Sequence, residues 1–127
     1  MILICNKANH NSRPLTKKLR EETMAQTATP KWMEKLQRSN PQFAEMYLAQ
    51  SSKIMKDGAI PGKYKILMTF IVDAIMAHPE GCLAIANRAR AAGASEAEIN
   101  EAIEVAFLFG GTPALVTAVN ALGAEGR

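Results

Sequence analysis

Residues Gly81 to Ala114 read GCLAIANRARAAGASEAEINEAIEVAFLFGGTPA, and the punctuation of this stretch decides the fold. Gly93 follows the alanine-rich run from Leu83 to Ala92. A glycine just past a helix end supplies the left-handed conformation that a side chain resists, so one helix stops there. Ser95 stands three residues before Glu98. The serine oxygen can therefore accept from the Glu98 amide while the Glu98 carboxylate accepts from the serine amide, a capping box whose loss should cost about 1 kcal/mol. Beyond it Ile99, Ala102, Ile103, Ala106 and Phe109 fall at helical spacing, and Glu96, Glu98 and Glu101 place negative charge where a helix start favours it. That helix should run to Gly110 and Gly111. Thr112 and Pro113 then open a last one, carrying Ala114 to Leu122 before Gly123.

The same grammar divides the preceding residues. Thr29 and Pro30 open a short helix with Trp32, Met33 and Leu36; Asn40 and Pro41 open another with Phe43, Met46, Tyr47 and Ile54, which Asp57 and Gly58 close. Pro61 starts the most apolar segment. From Ile66 to Ala77 (ILMTFIVDAIMA) only Asp73 is charged, so this helix should be buried nearly all round. It falls short of the roughly 20 residues that cross a bilayer. No segment alternates at period two for long. The expected fold is all-α with about six helices, and a helix buried on every side in so small a body points to association with copies of itself.

Charge separates the chain at Met24. Residues 1–23 carry five Lys or Arg against Glu21 and Glu22, a net +3, while residues 24–127 carry ten basic and ten acidic groups. The body is neutral, so no nucleic-acid partner is expected. The leader has only Met1 to Cys5 as an apolar opening, too short for a secretory signal. Two readings stand: a basic, disordered leader (or an arm that reaches a neighbouring subunit), or a start placed too early with the folded domain at 24–127. The lack of a signal peptide and of paired cysteines in the body suggests the cytoplasm.

The runs PGKYKILMTFIVDA (61–74), Cys82 to Gly93 and GASEAEINEAIEVAFLFGGTPA (93–114) resemble the carboxymuconolactone decarboxylase family, which includes the AhpD-like alkylhydroperoxidases. The likeness covers roughly Pro41 to Leu122. Its most specific parts are Ala89-x-x-x-Gly93-Ala94-Ser95, Glu98-Ile99-x-Glu101 and Gly110-Gly111. The resemblance implies an all-helical fold assembling as a trimer or hexamer, and two chemistries. AhpD-like members are antioxidant thiol peroxidases, in which a Cys-x-x-Cys pair attacks a hydroperoxide and a glutamate and histidine relay protons. Decarboxylases use a histidine to move a proton as a lactone acid loses carbon dioxide. Registered on Gly93, the two cysteine places fall at His78 and Gly81, the histidine place at Ile85 and the glutamate place near Ile66. All four differ, and a one-residue shift recovers only Cys82.

A single cysteine forms a sulfenic acid but no intramolecular disulfide, so turnover would need an external thiol or a neighbouring subunit's cysteine. The residues left to act are Asp73, His78 and Cys82. Cys82 would be the thiolate nucleophile, favoured by the helix start, with His78 as base and Asp73 holding or charging it. Each has a plainer reading: Asp73 paired with Lys63, Lys65 or Arg88, His78 bonded to carbonyls before Pro79, and Cys82 as a small buried apolar residue. Tyr64 between Lys63 and Lys65 offers a place for an acidic ligand or simply a solvated helix start. No metal site follows from two histidines and two cysteines at these spacings, and no cofactor is implied. The expected function is thus first a thiol-dependent peroxidase, with a non-catalytic member that binds a small metabolite or serves as a scaffold as the second reading and a proton-transfer decarboxylase using His78 as the third.

Overall fold

A computed structural model describes residues 29–123, so both readings of the leader, and Cys5, lie outside it. Five helices follow in order: α1 Lys31–Ser39, α2 Pro41–Met55, α3 Gly62–Ile75, α4 Pro79–Ala91 and α5 Glu96–Ala118, with a 3-10 turn at Val119–Ala121. No strand occurs among the described residues. Of the six helices that sequence punctuation predicts, the last two meet at a kink at the expected break and are numbered here as one, α5. Gly111 bends α5 with φ 69° and ψ −164°, a conformation reserved for glycine, and Pro113 follows within the helix.

The capping box forms as expected: the Ser95 hydroxyl accepts from the Glu98 amide at 3.1 Å and the Glu98 carboxylate accepts from the Ser95 amide at 2.8 Å. Gly93 takes φ 93° and closes α4. Asn40 caps α2 by accepting from the Phe43 amide, whereas Pro30, with no capping side chain, precedes α1. Asp57 caps the following helix rather than closing α2, its Oδ1 accepting from the Gly62 amide. Lys65 closes the end of α2, its ammonium donating to the carbonyls of Ile54 in the last turn and of Lys56 just past it.

The core lies where α3 packs on α4 and α5. Phe70, Ile99 and Cys82 are its largest fully buried side chains, set among Ala74, Ala86, Ala89, Ala106 and Ala118. Small residues at these positions let helix axes approach closely, and burying Phe70 alone is worth roughly 1.5–3 kcal/mol. Gly110 belongs to the same contact, since a Cβ there would come within 2.9 Å of Ile75. Helices α1 and α2 pack on each other, with a T-shaped Trp32–Tyr47 pair, and touch α3 only lightly.

Two burial expectations fail within the single chain. Helix α3 buries Leu67, Phe70 and Ala74 but leaves Met68 and Val72, with Met76 just past its end, at least half exposed, so it has an open apolar face. Phe109, placed on the buried stripe of α5 by spacing, is 78% exposed. The Gly110–Gly111 bend interrupts the helical register just after it. The segment Glu96–Ala121 is long and apolar enough by composition to span a membrane. It nonetheless seats Ile99, Ile103, Ala106 and Ala118 in the shared core, as the central helix of a globular domain does.

Candidate active site

The turn between α3 and α4 positions the chemistry. After Ile75 the chain leaves the helix through Ala77, which holds φ 61°. This is the left-handed conformation usually given to glycine. The Ala77 amide donates to the Ala74 carbonyl and the His78 amide to the Asp73 carbonyl, both at 3.1 Å, the paired closure of a Schellman motif. The closure folds His78 back over the end of α3. His78 then stands immediately before α4, whose first residue is Pro79.

The result is a side-chain pair that sequence separation would not suggest on a straight helix. His78 Nδ1 lies 3.1 Å from Asp73 Oδ1. An ionised carboxylate only accepts, so Nδ1 is the donor, and Nε2 is the ring nitrogen left for a substrate. The His78 side chain is 58% exposed and that of Asp73 only 20%. The second carboxylate oxygen, Oδ2, is buried with no hydrogen-bond partner. Asp73 thus meets none of Lys63, Lys65 or Arg88.

Cys82 occupies the first turn of α4, its amide donating to the His78 carbonyl at 3.0 Å. Its side chain is completely buried. Loss of solvation, and then the nearby Asp73 charge, push its thiol up to about 11. The helix start does not prevail over these two effects, contrary to the expected thiolate. A thiol at this value is protonated at neutral pH, and a buried sulfur meets no peroxide without opening of the helix pair. Cys82 is the free cysteine of the described residues.

The basic cluster at the start of α3 has an internal acid. Glu98 Oε1 accepts from the Lys63 ammonium at 2.9 Å and from the Tyr64 hydroxyl at 3.4 Å, which joins α3 to the capping box of α5. The Lys63 hydrogen bond holds the Glu98 carboxyl below its ordinary range, and the same bond raises Lys63. An acidic ligand would have to displace Glu98, so the cluster is structural. Arg90 does similar work at the other end, donating to Glu96, Asn87 and the Ala121 carbonyl. A shallow hollow beside Asn40, Gln42, Phe43 and Met46 contains no titratable group. Among the described residues no three His, Cys, Asp or Glu gather to hold a metal.

The sequence profile of the carboxymuconolactone decarboxylase family matches residues 41–124. The chain belongs to that family. No curated protein and no solved structure matches it. The match spans α2 to α5 and therefore contains Asp73, His78 and Cys82.

The resemblance places the family's glutamate near Ile66 and its histidine at Ile85, and both isoleucines are half-buried and packed on the core. Sequence reasoning brought forward the three candidates but missed Ala77 and Gly81, which shape the turn around them. Ala77 carries no sequence signal, because alanine ordinarily avoids the left-handed region.

Proposed function

We propose that this carboxymuconolactone decarboxylase family member is a proton-transfer enzyme acting on a small unsaturated lactone acid, with His78 as the acid–base group and Asp73 as its orienting carboxylate. The carrying observation is the Asp73–His78 hydrogen bond, which holds an exposed imidazole by one nitrogen and leaves the other free. In the reaction the bond between carbon and the departing carboxylate breaks, and carbon dioxide leaves. The electron pair passes into the adjacent unsaturated carbonyl. His78, as imidazolium, delivers a proton to the resulting carbanion equivalent, and the Asp73 charge supports the imidazolium before transfer. No cofactor takes part.

Thiol-dependent peroxide reduction through Cys82 is the rival within the family. It has Asp73 and His78 near the same helix end in its favour, and the burial and protonation of Cys82 against it. The non-catalytic binding or scaffold reading has support from the loss of the family's histidine and glutamate places. Release of carbon dioxide from a panel of unsaturated lactone acids tests the proposal. Activity lost in His78→Ala and kept in Cys82→Ala supports it. Hydroperoxide consumption that needs a thiol and is lost in Cys82→Ala would install the redox reading instead. Metabolite binding without turnover of either kind would leave the scaffold.

We further propose a cytoplasmic homo-oligomer, a trimer or hexamer by family resemblance, with no nucleic-acid or membrane partner. What supports self-association is the open apolar face of α3, with Met68 and Val72, together with the exposed Leu108 and Phe109 beside the bend of α5. Exposed apolar surface of this extent on a small domain is characteristic of an interface.

A further inference from the structure

Asp73 reaches its place only because the residue facing it has no side chain. A Cβ built on Gly81 would lie 2.9 Å from the Asp73 carboxyl carbon and 3.3 Å from Oδ1, and would overlap Oδ2 outright. Oδ2 is the oxygen that is buried without a partner, and Oδ1 is the one bonded to His78. Gly81 stands in the first turn of α4, three residues after His78 and beside Cys82, and no positive φ marks it as a turn glycine. Its role is therefore one of space. The carboxylate is pressed between the first turn of α4 on one side and the imidazole on the other.

We propose that Gly81 is a positioning residue: the gap at its Cβ seats the Asp73 carboxylate so that Oδ1 meets His78 Nδ1 and fixes the ring with Nε2 free. The inference deepens the proposed acid–base reading and rests on it for its catalytic meaning. Its structural content stands without a substrate. The atoms that a methyl group would strike are the end of a short side chain, not backbone, so relief comes by rotating Asp73 away from His78 while the helices remain in place. The ring then loses the partner that selects its tautomer.

Nitrogen NMR of the imidazole ring at a pH where the ring is neutral reads this directly, with His78 signals identified by their disappearance in His78→Gln. The parent protein is expected in the Nδ1–H form. Gly81→Ala is expected to move it toward the Nε2–H form, to the same extent as Asp73→Ala. A ring that keeps the Nδ1–H form in Gly81→Ala overturns the proposal. Thermal unfolding supplies the second measurement should Gly81→Ala fold poorly. The substitution lowers the midpoint in the parent and leaves it unchanged or raised in an Asp73→Ala background, since the three atoms nearest the added methyl group all belong to that carboxylate and alanine is the better helix former. An equal loss in both backgrounds assigns Gly81 to helix packing and overturns the proposal as well. A tautomer shift in a protein that releases no carbon dioxide retains Gly81 as the positioning residue and rejects only the proposed reaction.

Discussion

Asp73 Oδ1 lies 3.1 Å from His78 Nδ1 although the two residues flank a helix end. The contact depends on Ala77 turning left-handed between them and on the His78 amide donating to the Asp73 carbonyl. Backbone closure and side-chain pairing thus use the same two residues. Asp73→Asn keeps the shape of the side chain and removes its charge. We expect turnover to fall by about 10²-fold or more through kcat, with KM little changed. Steady-state kinetics would sink the orienting role if only KM moved.

Ala77 holds a conformation that costs a non-glycine residue roughly 1–2 kcal/mol. Ala77→Gly removes this penalty but adds chain entropy to the unfolded state, so a net gain of about 0.5–1 kcal/mol is expected. Denaturant unfolding would show a higher midpoint at unchanged slope. An unchanged or lower midpoint would mean that the turn is held without strain.

The thiol of Cys82 should be slow to react in the folded protein. At pH 8 a thiol titrating near 11 is about one part in a thousand thiolate, and burial reduces access further. Alkylation followed by mass spectrometry should therefore proceed at the rate of opening and accelerate sharply on unfolding. Rapid labelling of the native protein at neutral pH would contradict the buried placement. Because the folded thiol titrates above the unfolded one, its contribution to stability is present below about pH 9 and is lost as pH rises through about 11.

Glu98 and Lys63 set a second pH dependence. The Glu98 carboxyl is lowered in the fold from 4.5, so its contribution is complete above that value and is lost as pH falls through the lowered one. Lys63 is raised from 10.5, so its contribution is present below that value and is lost as pH rises through the raised one. Glu98→Gln should flatten the stability profile at both ends, measured as unfolding midpoint against pH. A profile parallel to that of the parent would show that the pair carries no linkage.

Much of this architecture was legible because its signals are local. Ser95 and Glu98 form the box that their spacing announces, Asn40 caps α2, and Gly93 ends α4. Local signals also mislead where a residue has two possible clients. Asp57 reads as the end of α2, and its carboxylate instead accepts from the first amide of α3. Burial is a tertiary property, and composition placed α3 wholly inside although Met68, Val72 and Met76 face outward in one chain. The Asp73–His78 pair was legible as residue types but not as a contact. The turn that makes it relies on an alanine in a glycine conformation and on the empty Cβ position of Gly81.

Self-association has its own test. Leu108 and Phe109 are 73% and 78% exposed, and a carboxylate in a shared apolar contact would be buried unpaired. Light scattering should give a multiple of the chain mass for the parent and the single-chain mass for Leu108→Glu. A parent that is already a single chain would remove the interface.

The acid–base account is tested most directly by measuring carbon dioxide release from unsaturated lactone acids by the parent, His78→Ala and Cys82→Ala proteins side by side. It predicts turnover by the parent, a loss of about 10²–10⁴-fold in His78→Ala, and near-parent turnover in Cys82→Ala. Turnover that survives without His78, or that disappears with Cys82 while the fold is intact, would contradict it.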